Sequence, residues 1–299
     1  MNRIFSMLLA AFMLALSANI AAADKLPVVA SFSILGDLVA TIGGDRVIVS
    51  TLVGPDADAH IFEPTPNDAK TVVHAKLVVV NGLGFEGWLA RLIGAASYKG
   101  EMVVATKGIR PRQMPDEDNA AKLQTDPHAW QDPVNIIIYV GNIATALSKI
   151  DPEGAAMYQR NAAQYLQSLK ELDAWASQQF AKIPPAKRKV ITSHDAFEYF
   201  GAHYGIRFFG LQGLSTESEP SAKDMAKLIR QIRREHTKAV YVENMTSPKL
   251  LEQLSREAGV SLGPKLYADA LSGAQGKAPT YLKMVHYNVE QLMLGLQQN

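Results

Sequence analysis

Three of the seven histidines lie in segments where their side chains could do chemistry. His60 is in the loop "GPDADAHIFEPTP", His128 lies in "TDPHAWQDP", and His194 directly follows the predicted strand "KVITS". Asp269, in "KLYADALSG", follows another short strand-like run. Ligands of open α/β sheets bind outside the carboxyl ends of strands, so these four side chains face the same kind of place. Three imidazoles and a carboxylate could form a tetrahedral zinc site, although separations of 66 to 75 residues carry no local signature.

The other four histidines have ordinary surroundings. His74 and His236 come late in predicted helices, where an imidazole suits the negative end of the helix dipole. His203 and His286 lie on further predicted helices. We therefore expect structural roles for all four.

The elements that must position the candidate side chains are short apolar runs alternating with helical stretches. The predicted strands are "PVVASFS", "RVIVSTLVG", "KLVVVNG" and "MVVAT" in the first half, and "KVITSHD", "IRFFGLQ" and "KAVYVEN" in the second. Continuous apolar runs of this length predict parallel strands that are covered by helices on both faces. The predicted fold class is therefore α/β, with mostly parallel sheets in two lobes.

One long helix is predicted between the two halves. Asp151-Pro152 is a helix-start signal, Pro184-Pro185 is a stop, and the intervening sequence contains no breaker. A helix of about 30 residues would be about 45 Å long, enough to span both halves. A rigid rod is a poor hinge, so we expect the lobes to move little. The predicted N-terminal α/β lobe, linking helix and C-terminal α/β lobe cover residues 24–150, 151–185 and 186–299.

The N-terminal segment and the composition predict an exported protein. Arg3 precedes the apolar run "IFSMLLAAFMLAL", and Ala21 and Ala23 satisfy the small-x-small rule, so residues 1–23 are predicted to be a cleavable signal peptide. The sequence has no cysteine, which excludes disulfides, thiolate metal sites and a lipid-modified N-terminal cysteine. A net charge of +1 leaves no basic field for nucleic acid. We therefore expect a soluble protein of a Gram-negative periplasm without a lipid anchor.

Four segments resemble one known family. "GPDADAHIFEPTPND", "DPHAWQDPVN", "TSHDAFEYFGAHYGI" and "YADALS" have the order and spacing of the metal-binding solute receptors of bacterial ABC importers, the zinc- and manganese-uptake family. The resemblance covers essentially the whole mature chain. It implies two α/β lobes joined by one backbone helix, with the metal buried in the cleft between them. It also implies that the first lobe supplies His60 and His128 and that the second supplies His194 and Asp269.

The resemblance implies a receptor that passes its metal to the membrane permease of an ABC importer, without enzyme activity, and we expect a monomer. Pro127 and Pro133, on either side of His128, make this segment stiff and non-helical. We therefore expect it to hold the His128 ring in one orientation, with one ring nitrogen facing the metal. Asp126 or Asp132 is expected to orient that ring. Other nearby acidic residues are expected to cap, pair or line the site rather than coordinate, namely Glu63, Glu198 and Glu243.

The identity of the metal depends on the third imidazole. Receptors that resemble the manganese type generally carry a carboxylate where His194 stands, and nitrogen in place of hard oxygen favours Zn²⁺. The stretch "PRQMPDEDNAAKLQTD" lacks the long histidine-rich loop of many zinc receptors, and some three-histidine members have been linked to manganese or iron. Zn²⁺ is therefore the expected ligand, with Mn²⁺ or Fe²⁺ as the alternative.

A secreted zinc hydrolase and an adhesin are the other two classes considered. Catalytic zinc keeps one position open for water, whereas four protein ligands close the tetrahedral shell. The sequence contains neither H-E-x-x-H nor G-x-S-x-G. Some family members have been assigned adhesive roles, but adhesion is poorly supported in a protein that is expected to lack a lipid anchor.

Overall fold

The computed structural model describes residues 24–115, 122–218 and 220–299. The predicted signal peptide, residues 1–23, lies outside the described residues. The strands are β1 (Leu26–Phe32), β2 (Val47–Val53), β3 (Leu77–Val80), β4 (Glu101–Val104), β5 (Gln113–Pro115), β6 (Leu123–Thr125), β7 (Lys189–His194) and β8 (Arg207–Gln212). The α-helices are α1 (Ser33–Gly43), α2 (Pro66–His74), α3 (Leu89–Ala96), α4 (Pro133–Ile150), α5 (Ala155–Ala181), α6 (Glu198–Tyr204), α7 (Ala222–Glu235), α8 (Lys249–Ala258) and α9 (Tyr281–Gln298).

A four-stranded parallel sheet, in the order β2-β1-β3-β4, lies at the centre of the first lobe. β3, with the sequence LVVV, is buried at every position, and β1 is buried from Val28 to Phe32. This burial is expected because both faces of an inner parallel strand are covered. Since the strands are parallel, their carboxyl ends meet at one edge, where the loop that contains His60 leaves β2. A separate antiparallel pair, β5 and β6, follows this sheet.

The second lobe is built on the parallel pair β7 and β8, and His194 is the last residue of β7. The predicted strand "KAVYVEN" is wrong as a continuous strand, because the structure has two isolated bridges there. Val240 pairs with Ile191 of β7, whereas Glu243 pairs with Leu266 on the other side. The segment changes its partner within three residues, so no continuous ladder forms. It still runs beside β7 and ends next to His194.

The long helix is present as α5, of 27 residues and about 40 Å. It is shorter than the predicted range of 151–185, because a 3₁₀ turn over Pro152–Gly154 precedes it and Pro184 follows it. Its buried residues recur every three or four positions, at Tyr158, Ala162, Tyr165, Leu169, Leu172, Ala176 and Phe180. This face packs against α1, α4 and α9, so the helix contacts both lobes.

One apolar core runs from the first sheet through α5 into the second lobe, and it includes Val79, Tyr165 and Phe200. A smaller core lies between β8, α7 and α8, around Ile232 and Leu254. The two lobes therefore share buried apolar surface across the linking helix. Any large change in their relative orientation would have to repack this surface, which is costly in a close-packed interior.

α4 is long and apolar enough to cross a membrane by length and composition, with a mean hydropathy of 1.3. Its buried residues, such as Ile136, Tyr139 and Ile143, belong to the shared core. Asp132 caps its N-terminus by accepting a hydrogen bond from the backbone N–H of Val134 at 2.9 Å. α4 is therefore a core helix of this fold.

Candidate metal centre

Four separate segments bring the predicted site residues to one point between the lobes. His60 lies in the loop between β2 and α2, His128 precedes a 3₁₀ turn over Ala129–Gln131, and His194 ends β7. Asp269 lies in the segment between α8 and α9. His60 is 8% exposed and the other three are 0% exposed. All four candidates from the sequence are therefore adjacent and buried.

Hydrogen bonds to the backbone beside the candidate residues hold these segments in place. Trp88 Nε1 donates to the carbonyl of Ala59 at 2.8 Å, next to His60. Trp130 Nε1 and Gln131 Nε2 both donate to the carbonyl of Ala268, at 3.0 and 2.7 Å. The side chains that follow His128 in the first lobe thus fix the peptide that precedes Asp269 in the second.

The Nε2 atoms of the three histidines converge on the Asp269 carboxylate. Nε2 of His128 lies 3.3 Å from Nε2 of both His60 and His194. Oδ2 of Asp269 lies 3.2 Å from His60 Nε2 and 3.1 Å from His194 Nε2, and Oδ1 lies 3.8 Å from His128 Nε2. Four ligands at 2.0–2.1 Å around a tetrahedral ion are separated from one another by about 3.3–3.4 Å. The observed spacing therefore fits a small ion at the centre of these atoms.

Both oxygens of the Asp269 carboxylate are buried and lack a hydrogen-bond partner among the described residues. The imidazole nitrogens lie 3.1–3.8 Å from these oxygens without forming hydrogen bonds to them, whereas buried polar atoms are normally paired. A cation between the three imidazoles would satisfy both oxygens. The donor set, with three nitrogens and one oxygen, is one that Zn²⁺ and other first-row divalent metals accept.

Two of the three imidazoles are oriented by buried carboxylates on their Nδ1 atoms. Asp126 Oδ1 accepts from His128 Nδ1 at 2.8 Å and also from the His128 backbone N–H at 2.9 Å. Glu243 Oε2 contacts His194 Nδ1, and its Oε1 accepts from the His194 backbone N–H at 3.1 Å. A carboxylate on Nδ1 holds the tautomer in which Nε2 carries the lone pair, so both rings present that atom to the centre.

The charges within the cluster shift the pKa values of its members. Burial alone would lower the pKa of His194, but the negative charges of Glu243 and Asp269 outweigh burial and raise it well above its ordinary value. Burial would raise the pKa of Asp269, but the charges of His194 and His128 hold it well below its usual range. Asp269 is therefore ionised at neutral pH, as a metal ligand must be.

The other predicted partners and histidines lie elsewhere. Of the two candidates for orienting His128, Asp126 does so, whereas Asp132 caps α4 and pairs with His203 Nδ1 at 3.2 Å. His203 Nε2 also contacts Asp173 Oδ1 of α5 at 2.8 Å. The remaining three histidines lie away from the cluster: His74 ends α2, His236 follows α7, and His286 stacks on Trp175.

The hydrogen bonds that Glu243 accepts from His194 could not be predicted from the sequence. Glu243 stands 49 residues after His194, and nothing in "KAVYVEN" predicts a contact with "TSHD". The only available signal was a carboxylate at the end of a predicted strand beside "KVITS", at the edge of the sheet where the ligands were expected. The expectation that Glu243 pairs rather than coordinates agrees with its contacts.

These features define a class of protein. Two α/β lobes are joined by one long helix, and three histidines and one aspartate that could hold a metal ion lie together between the lobes. This combination is typical of metal-binding solute receptors. The chain belongs to the family described as zinc-uptake complex component A, periplasmic, whose sequence profile matches residues 28–294. Its relatives are substrate-binding proteins of metal ABC importers, which are transport proteins that work with a membrane permease.

Individual relatives are named for different metals. The manganese-binding lipoprotein MntA of Halalkalibacterium halodurans is 34% identical, with 92% of this chain and 90% of the relative aligned. The iron-binding protein YfeA of Yersinia pestis is 33% identical over 92% of this chain and 88% of its own. The periplasmic zinc-binding protein TroA from Treponema pallidum superposes with a TM-score of 0.85 at 29% identity, covering 91% of this chain and 99% of that chain. The two-lobe α/β fold is confirmed by this likeness.

The relatives also bear on location. Several are named lipoproteins, a description that conflicts with the expectation of a receptor without a lipid anchor. The sequence contains no cysteine. A location outside the cytoplasm, periplasmic or extracellular, agrees with both the family description and the relatives.

Proposed function

We propose that this protein captures Zn²⁺ in the periplasm, in a site formed by His60, His128, His194 and Asp269, and delivers it to the permease of an ABC importer. The observation that carries this proposal is the convergence of three Nε2 atoms and one carboxylate at mutual distances close to the edges of a zinc tetrahedron. The protein acts as a monomer of two lobes, residues 24–150 and 186–299, joined by the linking segment 151–185.

Zinc is favoured by the ligand types. Three imidazole nitrogens and one oxygen form a donor set of intermediate softness, whereas Mn²⁺ prefers sites rich in oxygen. The carboxylates on His128 and His194 add electron density to the imidazoles, which strengthens binding to a metal that prefers nitrogen. The near-tetrahedral spacing also suits Zn²⁺, which has no competing geometric preference.

Manganese or iron is the second candidate, and the relatives favour it. The relatives at 34% and 33% identity are named for manganese and iron, respectively. A receptor of this fold can therefore serve another metal. At nitrogen sites the intrinsic order of affinities places Zn²⁺ above Mn²⁺ and Fe²⁺, so binding in vitro does not by itself identify the metal that is transported.

Metal analysis of protein purified from the periplasm without added metal tests the proposal. We expect about one zinc per chain by elemental mass spectrometry, as four ligands around one ion require. His60→Ala should lose most of this zinc. His286→Ala, which removes an exposed histidine that stacks on Trp175, should retain it and serves as the matched control. Manganese or iron in the purified protein would favour the second candidate, and a metal-free protein that cannot be loaded would refute the site.

A further inference from the structure

His60 is held differently from the other two candidate imidazoles. The rings of His128 and His194 each have a buried carboxylate on Nδ1. In the described part of the chain, Asp269 is the only carboxylate that pairs with the His60 ring, and it does so through Nε2. The position of the His60 ring therefore depends on the conformation of its loop, residues 54–60.

Asp58 connects this loop to the second lobe. Its Oδ1 accepts from the backbone N–H of His60 at 2.9 Å, and its Oδ2 accepts from Thr216 Oγ1 at 2.7 Å. Thr216 follows β8 and belongs to the opposite lobe. One carboxylate thus joins the backbone of a candidate ligand to a hydroxyl across the cleft. A hydrogen bond to an ionised acceptor is stronger than one between neutral groups.

Two further hydrogen bonds, both made by Asp56, also join this loop to the second lobe. Asp56 has a φ of +54°, a left-handed conformation that is uncommon outside glycine. Its backbone N–H donates to the carbonyl of Leu271 at 2.9 Å, and its Oδ1 accepts from Asn244 Nδ2 at 2.8 Å. Both partners lie in the second lobe. The less favourable backbone conformation is therefore held by contacts that exist only when the lobes are together.

We propose that Asp58 is a positioning residue that couples His60 to the closed cleft, and that its hydrogen bond with Thr216 sets the rate of metal release. When the hydrogen bonds of Asp58 and Asp56 to the second lobe break, the loop changes conformation, and His60 is the first ligand to dissociate from the metal. His128 and His194 stay oriented by Asp126 and Glu243, which lie within their own lobes. This inference rests on the proposed function, because it requires that the four residues bind a metal.

Thr216→Val tests the coupling, because it keeps the shape of the side chain and removes the donor hydroxyl. We expect release of Zn²⁺ to excess chelator, followed by stopped-flow fluorescence, to be about 3- to 10-fold faster, the effect of losing one net hydrogen bond. Association should change less than about twofold, because the ligand set is intact. Thr216→Ser keeps the hydroxyl and should release zinc at the wild-type rate. Ser215→Ala is the matched control, since Ser215 accepts from Glu217 N within the same segment.

Asp58→Asn provides an independent arm. An asparagine keeps an oxygen for the His60 N–H, but its amide nitrogen can only donate to the Thr216 hydroxyl, so the bond across the cleft reverses direction and loses its charged acceptor. It should speed release, by no more than Thr216→Val does, and the double variant should be no faster than Thr216→Val alone, because the asparagine weakens the same bond that the valine removes. Wild-type release rates in Thr216→Val and Asp58→Asn would overturn the coupling, as would equal acceleration by Ser215→Ala. A wild-type protein that binds no metal would instead refute the proposed function.

Discussion

Replacing Asp269 with asparagine separates the two contributions that its carboxylate makes to metal binding. The change removes one negative charge and leaves one side-chain oxygen in nearly the same place. A site with Asp269 as its only anion would lose most of its affinity, because a buried double positive charge would no longer be offset. The structure contains two further carboxylates, Asp126 and Glu243, each hydrogen-bonded to one of the candidate imidazoles.

The charges of these residues give the expected size of the effect. Together with Asp269, the two carboxylates carry three negative charges, so a bound Zn²⁺ leaves a net charge of −1 on the cluster. In Asp269→Asn the same count gives zero, and the ion remains neutralised. We therefore expect the variant to bind zinc about 10- to 100-fold more weakly, a loss of about 1.4 to 2.7 kcal/mol, rather than to lose binding altogether.

Chelator competition and thermal unfolding both measure this loss. At a zinc concentration of about 100 times the wild-type dissociation constant, binding stabilises the wild type by about 2.7 kcal/mol. A 100-fold weaker variant would gain only about 0.4 kcal/mol at the same concentration. Asp132→Asn is the control, because Asp132 is a nearby carboxylate that faces His203 instead of the cluster. An unchanged affinity would show that Asp269 is not a ligand, and complete loss would show that Asp126 and Glu243 do not neutralise the ion.

Three further predictions concern selectivity and pH. His194→Glu should move the ratio of zinc to manganese affinities toward manganese by about tenfold or more, since it replaces nitrogen by hard oxygen; an unchanged ratio in competition titrations would show that cleft geometry sets selectivity. Zinc affinity should fall as the pH is lowered, and the fall should begin above the ordinary histidine pKa of about 6.5, because the raised pKa of His194 lets a proton compete with the metal. Calorimetric titrations that give equal affinities at about pH 7.5 and about pH 5.5 would contradict this. Burial raises the pKa of Asp37 from 3.8 to about 6, against the opposing hydrogen bond from the N–H of Tyr281. Because the folded pKa is above the unfolded one, the native state is most stable below about pH 4 with respect to this group and loses about 3 kcal/mol as the pH rises to about 6. Asp37→Asn should therefore raise the free energy of unfolding at neutral pH in urea titrations, and an equal or lower value would refute the burial argument.

Local sequence patterns predicted the strands of the first sheet, the pair β7 and β8, and the long helix, but not the contacts between elements. Val-rich runs predicted the buried parallel strands β1 and β3, and the breaker-free segment before Pro184 predicted α5. Both follow from interactions within a few residues of chain. The choice of the four candidate ligands among many polar residues came from strand ends and from the family resemblance, since separations of 66 to 75 residues carry no periodic signal.

The carboxylates that orient His128 and His194 show which contacts can be predicted from local sequence and which cannot. Asp126 lies two residues before His128 and Asp132 four residues after it, and the backbone conformation of this segment decides that Asp126 contacts the ring. Glu243 contacts His194 because a segment with two isolated bridges passes beside β7. The contact of Asp126 is local and was one of two alternatives that the sequence offered, whereas the contact of Glu243 is set by the packing of whole elements, which residue type and spacing do not reveal.

The apolar core that continues through α5 limits how this protein can be divided. A fragment that ends at residue 150 would lack Tyr158, Tyr165 and Leu169, which belong to the same core as the first sheet. Neither half is then a complete folding unit. In a hybrid made from two related receptors, the apolar surfaces of both lobes would have to pack against the same helix. Mutations in that helix change the apolar packing of both lobes at once, whereas mutations in the cleft loops change hydrogen bonds across the cleft. Divergence in metal preference within such a fold is therefore expected to accumulate in the loops while the helix face changes slowly.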